Sequence, residues 1–169
     1  IEGLSGDMPL ADVLETIFRE RWQGVLYYLS AVAENEPQEI EHVHKLRVSC
    51  RRLGAILDVL ADAVPRAPRR KLARLADEIR QRCGEARDLD VEKRFLESLL
   101  PHASVEDAGA IEVLCEMAVN RRARLQKKLR RRLPRLTRKT RHAGIEMLKA
   151  LDVVRKKGRP VPSSFDEIG

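Results

Sequence analysis

The chain has 169 residues and a formal net charge of +7, with 43% hydrophobic, 35% charged and 4% aromatic residues. This length suffices for one domain with a hydrophobic core, and the composition is typical of amphipathic helices, which favours an all-α fold. No apolar run approaches the about 20 residues that a membrane-spanning helix needs, so we expect no membrane partner.

The positive charge is concentrated in one segment. Between Met117 and Ile145 there are twelve Lys and Arg residues and no Asp or Glu, so the rest of the chain carries 21 basic against 26 acidic residues. A basic segment of this kind predicts an anionic partner.

Two helices are predicted in the first part of the chain. The first begins near Pro9 and ends at 35–37, where Asn, Glu and Pro follow one another. The second has apolar residues at alternating spacings of three and four, which form one narrow seam. The residues of this seam are Val43, Leu46, Cys50, Leu53, Leu57 and Leu60.

A third helix is predicted from about Arg69 to Leu100, with a kink or an interruption at Cys83-Gly84. The three cysteines are widely spaced, form no C-x-x-C pair and fall in helical segments. We expect them to be buried and reduced, which favours a cytoplasmic location. They are Cys50, Cys83 and Cys115.

A long fourth helix is predicted after Ser104, because Asp107 follows at the spacing of a capping box. Pro134 kinks or ends this helix. Residues 137–157 predict an additional C-terminal helix, and 158–169 a flexible tail.

Short connections between long helices favour antiparallel neighbours. We therefore predict an antiparallel four-helix bundle with an additional C-terminal helix. The bundle and this helix form one helical domain at 8–157, followed by the tail.

A basic stripe lies beside the seam of the second helix. His44, Arg47 and Arg51 stand at i, i+3 and i+7, which places them on one side of the helix. Repulsion between such close cations is relieved when an anion binds. A solvated basic face is the alternative that periodicity alone leaves open.

The segment 84–91 contains two carboxylates, at Asp88 and Asp90. At i and i+2 they point to different sides of a helix, which opposes an acid/base pair or a shared metal. We expect one of them to cap a helix or to fix a neighbouring guanidinium by a bidentate contact.

The basic segment 120–133 carries more cations than a core can bury. We expect those near its apolar side to face the same anion as the second helix, and Lys127 and Arg130 to be solvated.

The chain resembles the conserved histidine α-helical domain family, abbreviated CHAD. The resemblance extends loosely from Leu10 to about Leu136 and rests on two motifs in the right order. These are Glu41-x-Val43-His44-x-Leu46-Arg47-Val48-x-x-Arg51-Arg52-Leu53 and Gly84-x-x-Arg87-Asp88-Leu89-Asp90-Val91.

This resemblance implies helical bundles whose basic residues bind inorganic polyphosphate, commonly as two similar halves. No second His-x-x-Arg signature follows in a comparable place, so the chain resembles one half. A truncated chain, a homodimer that replaces the missing half and a reduced domain stay open. Gly54 also replaces a basic residue often seen after the Arg-Arg-Leu triplet, which weakens one expected contact.

The resemblance and the basic segments together predict a polyphosphate-binding surface on the second, third and fourth helices. Its residues are His44, Lys45, Arg47, Arg51, Arg52, Arg87, Arg121, Arg124, Lys128, Arg131 and Arg132. We expect no enzymatic activity, no cofactor and no metal, and a cytoplasmic location associated with polyphosphate granules.

Two other functions are weighed against this one. Sequence-independent RNA binding through phosphates stays open, although aromatic residues that could stack on bases are concentrated in the first helix. A metal-dependent phosphohydrolase is less favoured, because the rings of His42 and His44 diverge at i and i+2 on a helix.

Overall fold

The computed structural model describes residues 8–34 and 39–156. Its helices are α1 (Leu10–Ala33), α2 (Glu39–Val59), α3 (Arg66–Leu99) and α4 (Val105–Lys156), with a 3₁₀ turn at Leu100–His102. These residues include no strand, and the predicted all-α fold is confirmed. The predicted break at 35–37 and the predicted tail lie outside the described residues.

Contacts between neighbouring helices show that each pair runs antiparallel, because residues late in one helix meet residues early in the other. For α1 and α2, the rings of Tyr28 and His42 are 6.2 Å apart, and an added Cβ at Gly24 would lie 3.9 Å from Oγ of Ser49. Between α2 and α3, Arg47 contacts Asp88 and Asp58 contacts Arg69. Between α3 and α4, Lys71 contacts Glu146 and Asp90 contacts Arg122. Between α1 and α4, Asp12 contacts Arg155 and Trp22 contacts Thr140. Both α1 and α3 pack against α2 and α4, so α2 and α4 occupy opposite corners of the bundle.

The apolar seam of α2 is buried along its whole length. Its six residues are at most 2% exposed, and they belong to one hydrophobic cluster to which all four helices contribute. Full burial of one such side chain contributes about 1.5–3 kcal/mol to folding. The seam therefore fixes how α2 is rotated in the bundle.

The helix α3 continues through Gly84, so the interruption that was one of the two outcomes predicted there is absent. A glycine inside a helix costs about 1 kcal/mol relative to alanine. Cys83 and Ala86, on either side of it, are at most 1% exposed. Their burial outweighs the local preference for a break.

The helix α4 also continues through Pro134, so residues 137–156 extend α4 instead of forming an additional helix. Proline inside a helix costs about 3 kcal/mol or more. Leu133 and Leu136 are at most 4% exposed, and burial of two such side chains is of the same size as this cost. Tertiary packing thus keeps the helix whole.

The predicted cap at Ser104 is present. The Oγ atom of Ser104 accepts a hydrogen bond of 3.1 Å from the backbone N–H of Asp107, and its hydroxyl donates to Oδ2 of Asp107 at 2.6 Å. The carboxylate thus contacts the serine hydroxyl, whereas in a capping box it reaches the serine backbone N–H.

The far end of α3 and the start of α4 extend beyond the other two helices. At about 1.5 Å per residue, the 52 residues of α4 span about 78 Å, whereas the 24 residues of α1 span about 36 Å. No residue between Asp90 and Ala118 is buried. We call residues 91–117 the projecting hairpin. No helix within the described ranges is long and apolar enough to cross a membrane.

The packing of α1 against α4 depends on a close approach between Trp22 and Gly144. The indole N–H of Trp22 donates a hydrogen bond of 3.1 Å to the backbone oxygen of Thr140. A Cβ atom added at Gly144 would lie 2.1 Å from Cε2 of Trp22. Only glycine leaves room for the ring at this position.

We expect Gly144→Ala to destabilise the fold by about 1–3 kcal/mol, because the added methyl group overpacks the Trp22 contact. Gly54→Ala is the matched control, since an added Cβ there has no neighbour within 4 Å. This control should gain up to about 1 kcal/mol from helix propensity. Urea unfolding of both variants checks the difference, and equal midpoints would contradict the proposed clash.

Two of the three cysteines are buried as predicted. Burial raises the pKa of the Cys83 thiol to about 12 and also raises the pKa of the Cys50 thiol. Cys115 is only partly buried, because it lies in the projecting hairpin where α1 and α2 do not cover α4. All three are free thiols.

We expect one thiol, that of Cys115, to react rapidly with a maleimide at pH 7 in the folded protein. Cys50 and Cys83 should react only after unfolding, because they are buried and, with raised pKa values, remain protonated at this pH. Mass spectrometry of the labelled protein counts the reacted thiols, and Cys115→Ser should remove the rapid phase. Rapid labelling of a second thiol would contradict the described packing.

Candidate functional site

A cleft of about 510 Å³ lies between α2 and α3. Its lining residues are His44, Arg47, Val48, Arg51, Arg80 and Arg87. We call it the α2–α3 cleft. It brings four guanidinium groups and one imidazole to a single concave surface.

On α2, burial of the seam places the basic stripe at the edge that faces α3. On α3, Arg80 and Arg87 are seven residues apart, which puts them on the same side of the helix two turns from each other. An added Cβ at Gly84, between them, would lie 3.6 Å from Nη1 of Arg47. The arginine of α2 therefore reaches across to the surface of α3.

The carboxylates near the cleft neutralise only part of its charge. Nη1 of Arg47 lies 3.7 Å from Oδ1 of Asp88, and Nη2 of Arg80 lies 3.3 Å from Oδ1 of Asp77. The two aspartates are 79% and 62% exposed, and exposed ion pairs contribute about 0–1 kcal/mol. Among the described residues, no carboxylate pairs with Arg51 or Arg87. The cleft thus keeps a strong positive charge.

This arrangement suits the binding of phosphate oxygens. A guanidinium presents planar N–H donors that match a phosphate in a bidentate manner, and such charge-assisted hydrogen bonds are stronger than neutral ones. Arginine side chains are hydrogen-bond donors without an acceptor and are not deprotonated in proteins. The cleft can therefore hold an anion but offers no arginine as a general base.

Four residues of the predicted site come together in this cleft: His44, Arg47, Arg51 and Arg87. Arg80 also lines the cleft, although it was not among the residues predicted from the sequence. Its spacing of seven residues from Arg87 was a signal that could have identified it, since both lie on one side of a continuous helix.

Two predicted residues of α2 lie outside the cleft lining. Nζ of Lys45 is 2.6 Å from Oε1 of Glu41, and the hydrogen bond from this lysine lowers the pKa of the Glu41 carboxyl. Arg52 is exposed and does not line the cleft.

The predicted residues of α4 lie on another surface. Arg121 and Arg124 line a separate cleft of about 420 Å³ together with Leu89 and Glu92. Lys128, Arg131 and Arg132 are exposed along α4. Because α2 and α4 occupy opposite corners of the bundle, α4 contributes no lining to the α2–α3 cleft.

An acidic face of α3 separates these two basic surfaces. Four exposed carboxylates share one side of this helix at spacings of eight, three and four residues. They are Asp77, Glu85, Asp88 and Glu92. An anion that crossed from α2 to α4 over α3 would meet like charge.

Asp90 holds an arginine, which was one of the two roles predicted for one of these aspartates, and the contact runs through a single oxygen where a bidentate contact was expected. Asp90 is buried, and its Oδ1 accepts a hydrogen bond of 2.6 Å from Nε of Arg122. Asp88 is exposed and lies near Arg47. Neither caps a helix, because both lie inside the continuous α3.

His42 and His44 point to different surroundings. His42 is buried, with its ring centroid 6.2 Å from that of Tyr28, whereas His44 is exposed at the cleft. Within residues 8–34 and 39–156, no group of three or more potential metal ligands comes together.

One family model matches this chain. It is described as the CHAD domain, and it matches residues 16–163, a range that contains both motifs and every residue of the α2–α3 cleft. No curated protein and no solved structure matches the chain.

Proposed function

The chain belongs to the CHAD domain family, which is associated with polyphosphate binding, and on this premise we propose that it binds inorganic polyphosphate in the α2–α3 cleft. The observation that carries the proposal is the meeting of Arg47, Arg51, Arg80 and Arg87 with His44 in one cleft. We propose binding without catalysis, because no carboxylate lines the cleft and His44 is the one lining residue that could transfer a proton.

Polyphosphate fits this cleft better than RNA does. A phosphate chain carries a negative charge on every unit and no bases, so it needs guanidinium groups without stacking surfaces. RNA binding usually adds stacking worth about 1–3 kcal/mol per base. The exposed aromatic residues Tyr27 and Phe95 lie on α1 and on the projecting hairpin, and neither lines the cleft. Their placement supports polyphosphate over RNA.

We place this activity in the cytoplasm, in association with polyphosphate granules. The three cysteines are free thiols, and two of them are buried in the core. Reduced, buried cysteines are typical of proteins from reducing compartments and support this location.

The double variant Arg47→Ala/Arg51→Ala should lose polyphosphate affinity by at least about 100-fold. Each charge-assisted hydrogen bond is worth about 1.5–3 kcal/mol, and about 1.4 kcal/mol corresponds to a factor of ten. Calorimetric titration with long-chain polyphosphate at physiological salt measures this loss.

Lys45→Ala/Arg52→Ala is the matched control, because it removes two positive charges from the same helix but none from the cleft lining. It should lower the affinity by less than about five-fold, consistent with screened long-range attraction. An equal loss in both double variants would contradict a site in the cleft. If single-stranded RNA displaced polyphosphate from the wild type, RNA binding would replace the proposed function.

We also propose that the projecting hairpin pairs with a second copy of the chain. Its apolar residues Val91, Phe95, Val113 and Met117 are between 51% and 62% exposed. Large exposed apolar side chains concentrated in one segment favour a protein interface there.

The distribution of charge supports a second copy as the partner. The projecting hairpin carries six acidic and two basic residues, whereas 118–144 carries twelve basic residues and no acidic residue. Two α4 helices placed antiparallel would set the acidic part of each beside the basic part of the other. Such an interface is self-complementary, as a two-fold dimer requires.

Light scattering after gel filtration should give the mass of a dimer for the wild type. Phe95→Glu/Met117→Glu should give a monomer, because it places charge in the apolar interface. Val59→Glu/Val153→Glu makes the same charge change at exposed residues outside the hairpin and should remain dimeric. A monomeric wild type over a wide concentration range would overturn this proposal.

A further inference from the structure

A second basic cleft, of about 840 Å³, lies between the first half of α3 and the last third of α4. Basic side chains line it from both helices: Arg70, Lys71 and Arg74 from α3, and Arg138, Lys139 and His142 from α4. We call it the α3–α4 cleft. None of these residues belongs to the proposed polyphosphate site.

The charge of this cleft is only partly balanced. Glu146 is hydrogen-bonded to Nζ of Lys71 at 2.8 Å and lies 3.1 Å from Nε2 of His142. The contact with Lys71 lowers the pKa of the Glu146 carboxyl, which therefore stays ionised and holds these two groups. No described carboxylate pairs with the other four cations. Arg70, Arg74, Arg138 and Lys139 are thus available to an anionic ligand.

The α3–α4 cleft is separate from the α2–α3 cleft. Along α3 the two sets of lining residues are centred about 12 residues apart, which corresponds to about 18 Å. They also face different neighbours, α4 in one case and α2 in the other. Asp77 lies between the two sets and is exposed. One compact ligand cannot occupy both clefts.

The walls of the two clefts also differ. The α2–α3 cleft has Val48 as its one apolar lining residue. The α3–α4 cleft has Ala67 and Leu75, and the methylene stems of its arginines and lysines add further apolar surface. Its volume is that of a site for a small organic molecule. A bare phosphate would leave this apolar surface uncovered.

We infer that the α3–α4 cleft binds an organic phosphate, with the phosphate held by Arg74 and Arg138 and an apolar portion seated against Ala67 and Leu75. The same chemistry occurs in a soluble phosphate ester and in the headgroup of an acidic lipid. This binding goes beyond the proposed polyphosphate function and does not depend on it.

Titration with octyl phosphate tests the inference. The wild type should bind octyl phosphate at least ten-fold more tightly than inorganic phosphate, and saturating polyphosphate should not displace it. Arg74→Gln/Arg138→Gln should weaken octyl phosphate binding at least ten-fold. The same variant should leave polyphosphate affinity within about three-fold of the wild type, since charge outside a site acts only through screened attraction.

Arg66→Gln/Arg141→Gln is the matched control, with one exposed arginine changed on each of the same helices but outside the cleft lining. It should bind octyl phosphate as the wild type does, and the unfolding midpoints of both double variants should agree. Equal affinity for octyl and inorganic phosphate would overturn the inference. So would unchanged binding by Arg74→Gln/Arg138→Gln, or displacement by polyphosphate.

Flotation with phosphatidic acid vesicles distinguishes the two sources of the ligand. Vesicle binding that requires Arg74 and Arg138 assigns the site to a lipid headgroup. Octyl phosphate binding without vesicle binding assigns it to a soluble ester. Arg47→Ala/Arg51→Ala should lose polyphosphate binding and retain octyl phosphate binding, whereas Arg74→Gln/Arg138→Gln should do the reverse. Together the two double variants test the two proposals independently.

Discussion

Burial of the apolar seam of α2 holds like-charged side chains together at the cleft. Leu46, Cys50 and Leu53 are at most 2% exposed, and full burial of an apolar side chain contributes about 1.5–3 kcal/mol. Two unit charges 4 Å apart repel by about 1 kcal/mol in water and by about 4 kcal/mol near a protein surface, whereas burial of three seam leucines, Leu46, Leu53 and Leu57, contributes about 4.5–9 kcal/mol. The seam therefore outweighs the repulsion between Arg47, Arg51 and the arginines of α3. A bound anion relieves the remaining repulsion, so the cleft is organised for an anion before one arrives.

The acidic face of α3 gives the bundle more than one basic surface. Net charge alone would describe a uniformly positive protein, but exposed carboxylates from Asp77 to Glu92 divide the cations of α2 from those of α4. Coulombic attraction decays within about 10 Å at 0.1 M salt, so each surface acts on its own ligand at short range. Charge is also unevenly distributed along α4, because its first residues are acidic and apolar whereas its middle is basic. This polarity is the basis for the proposed pairing of two copies.

The predictable parts of the fold were those set by local pattern. The seam of α2 and the cap at Ser104 depend on residues close in sequence, and the structure contains both. The helices α3 and α4 continue through Gly84 and Pro134 because neighbouring residues are buried against other helices. Local helix propensity contains no information about this packing. Arg80 was missed for a related reason, since its place in the site depends on the rotation of α3 toward α2. The periodicity of α4 predicted which face of the helix carries its cations. It could not predict that α4 lies at the opposite corner of the bundle from α2.

The side-chain N–H resonances of arginine report directly on whether polyphosphate is held by the arginines of the α2–α3 cleft, as we propose. In a ¹⁵N-correlated NMR titration with short-chain polyphosphate, we expect the Nε–H signals of Arg47, Arg51, Arg80 and Arg87 to shift most and to saturate together. Signals from the exposed arginines of α4 should shift less and without saturation. Saturating shifts confined to the α4 arginines, with those of the α2–α3 cleft unchanged, would contradict polyphosphate binding in this cleft.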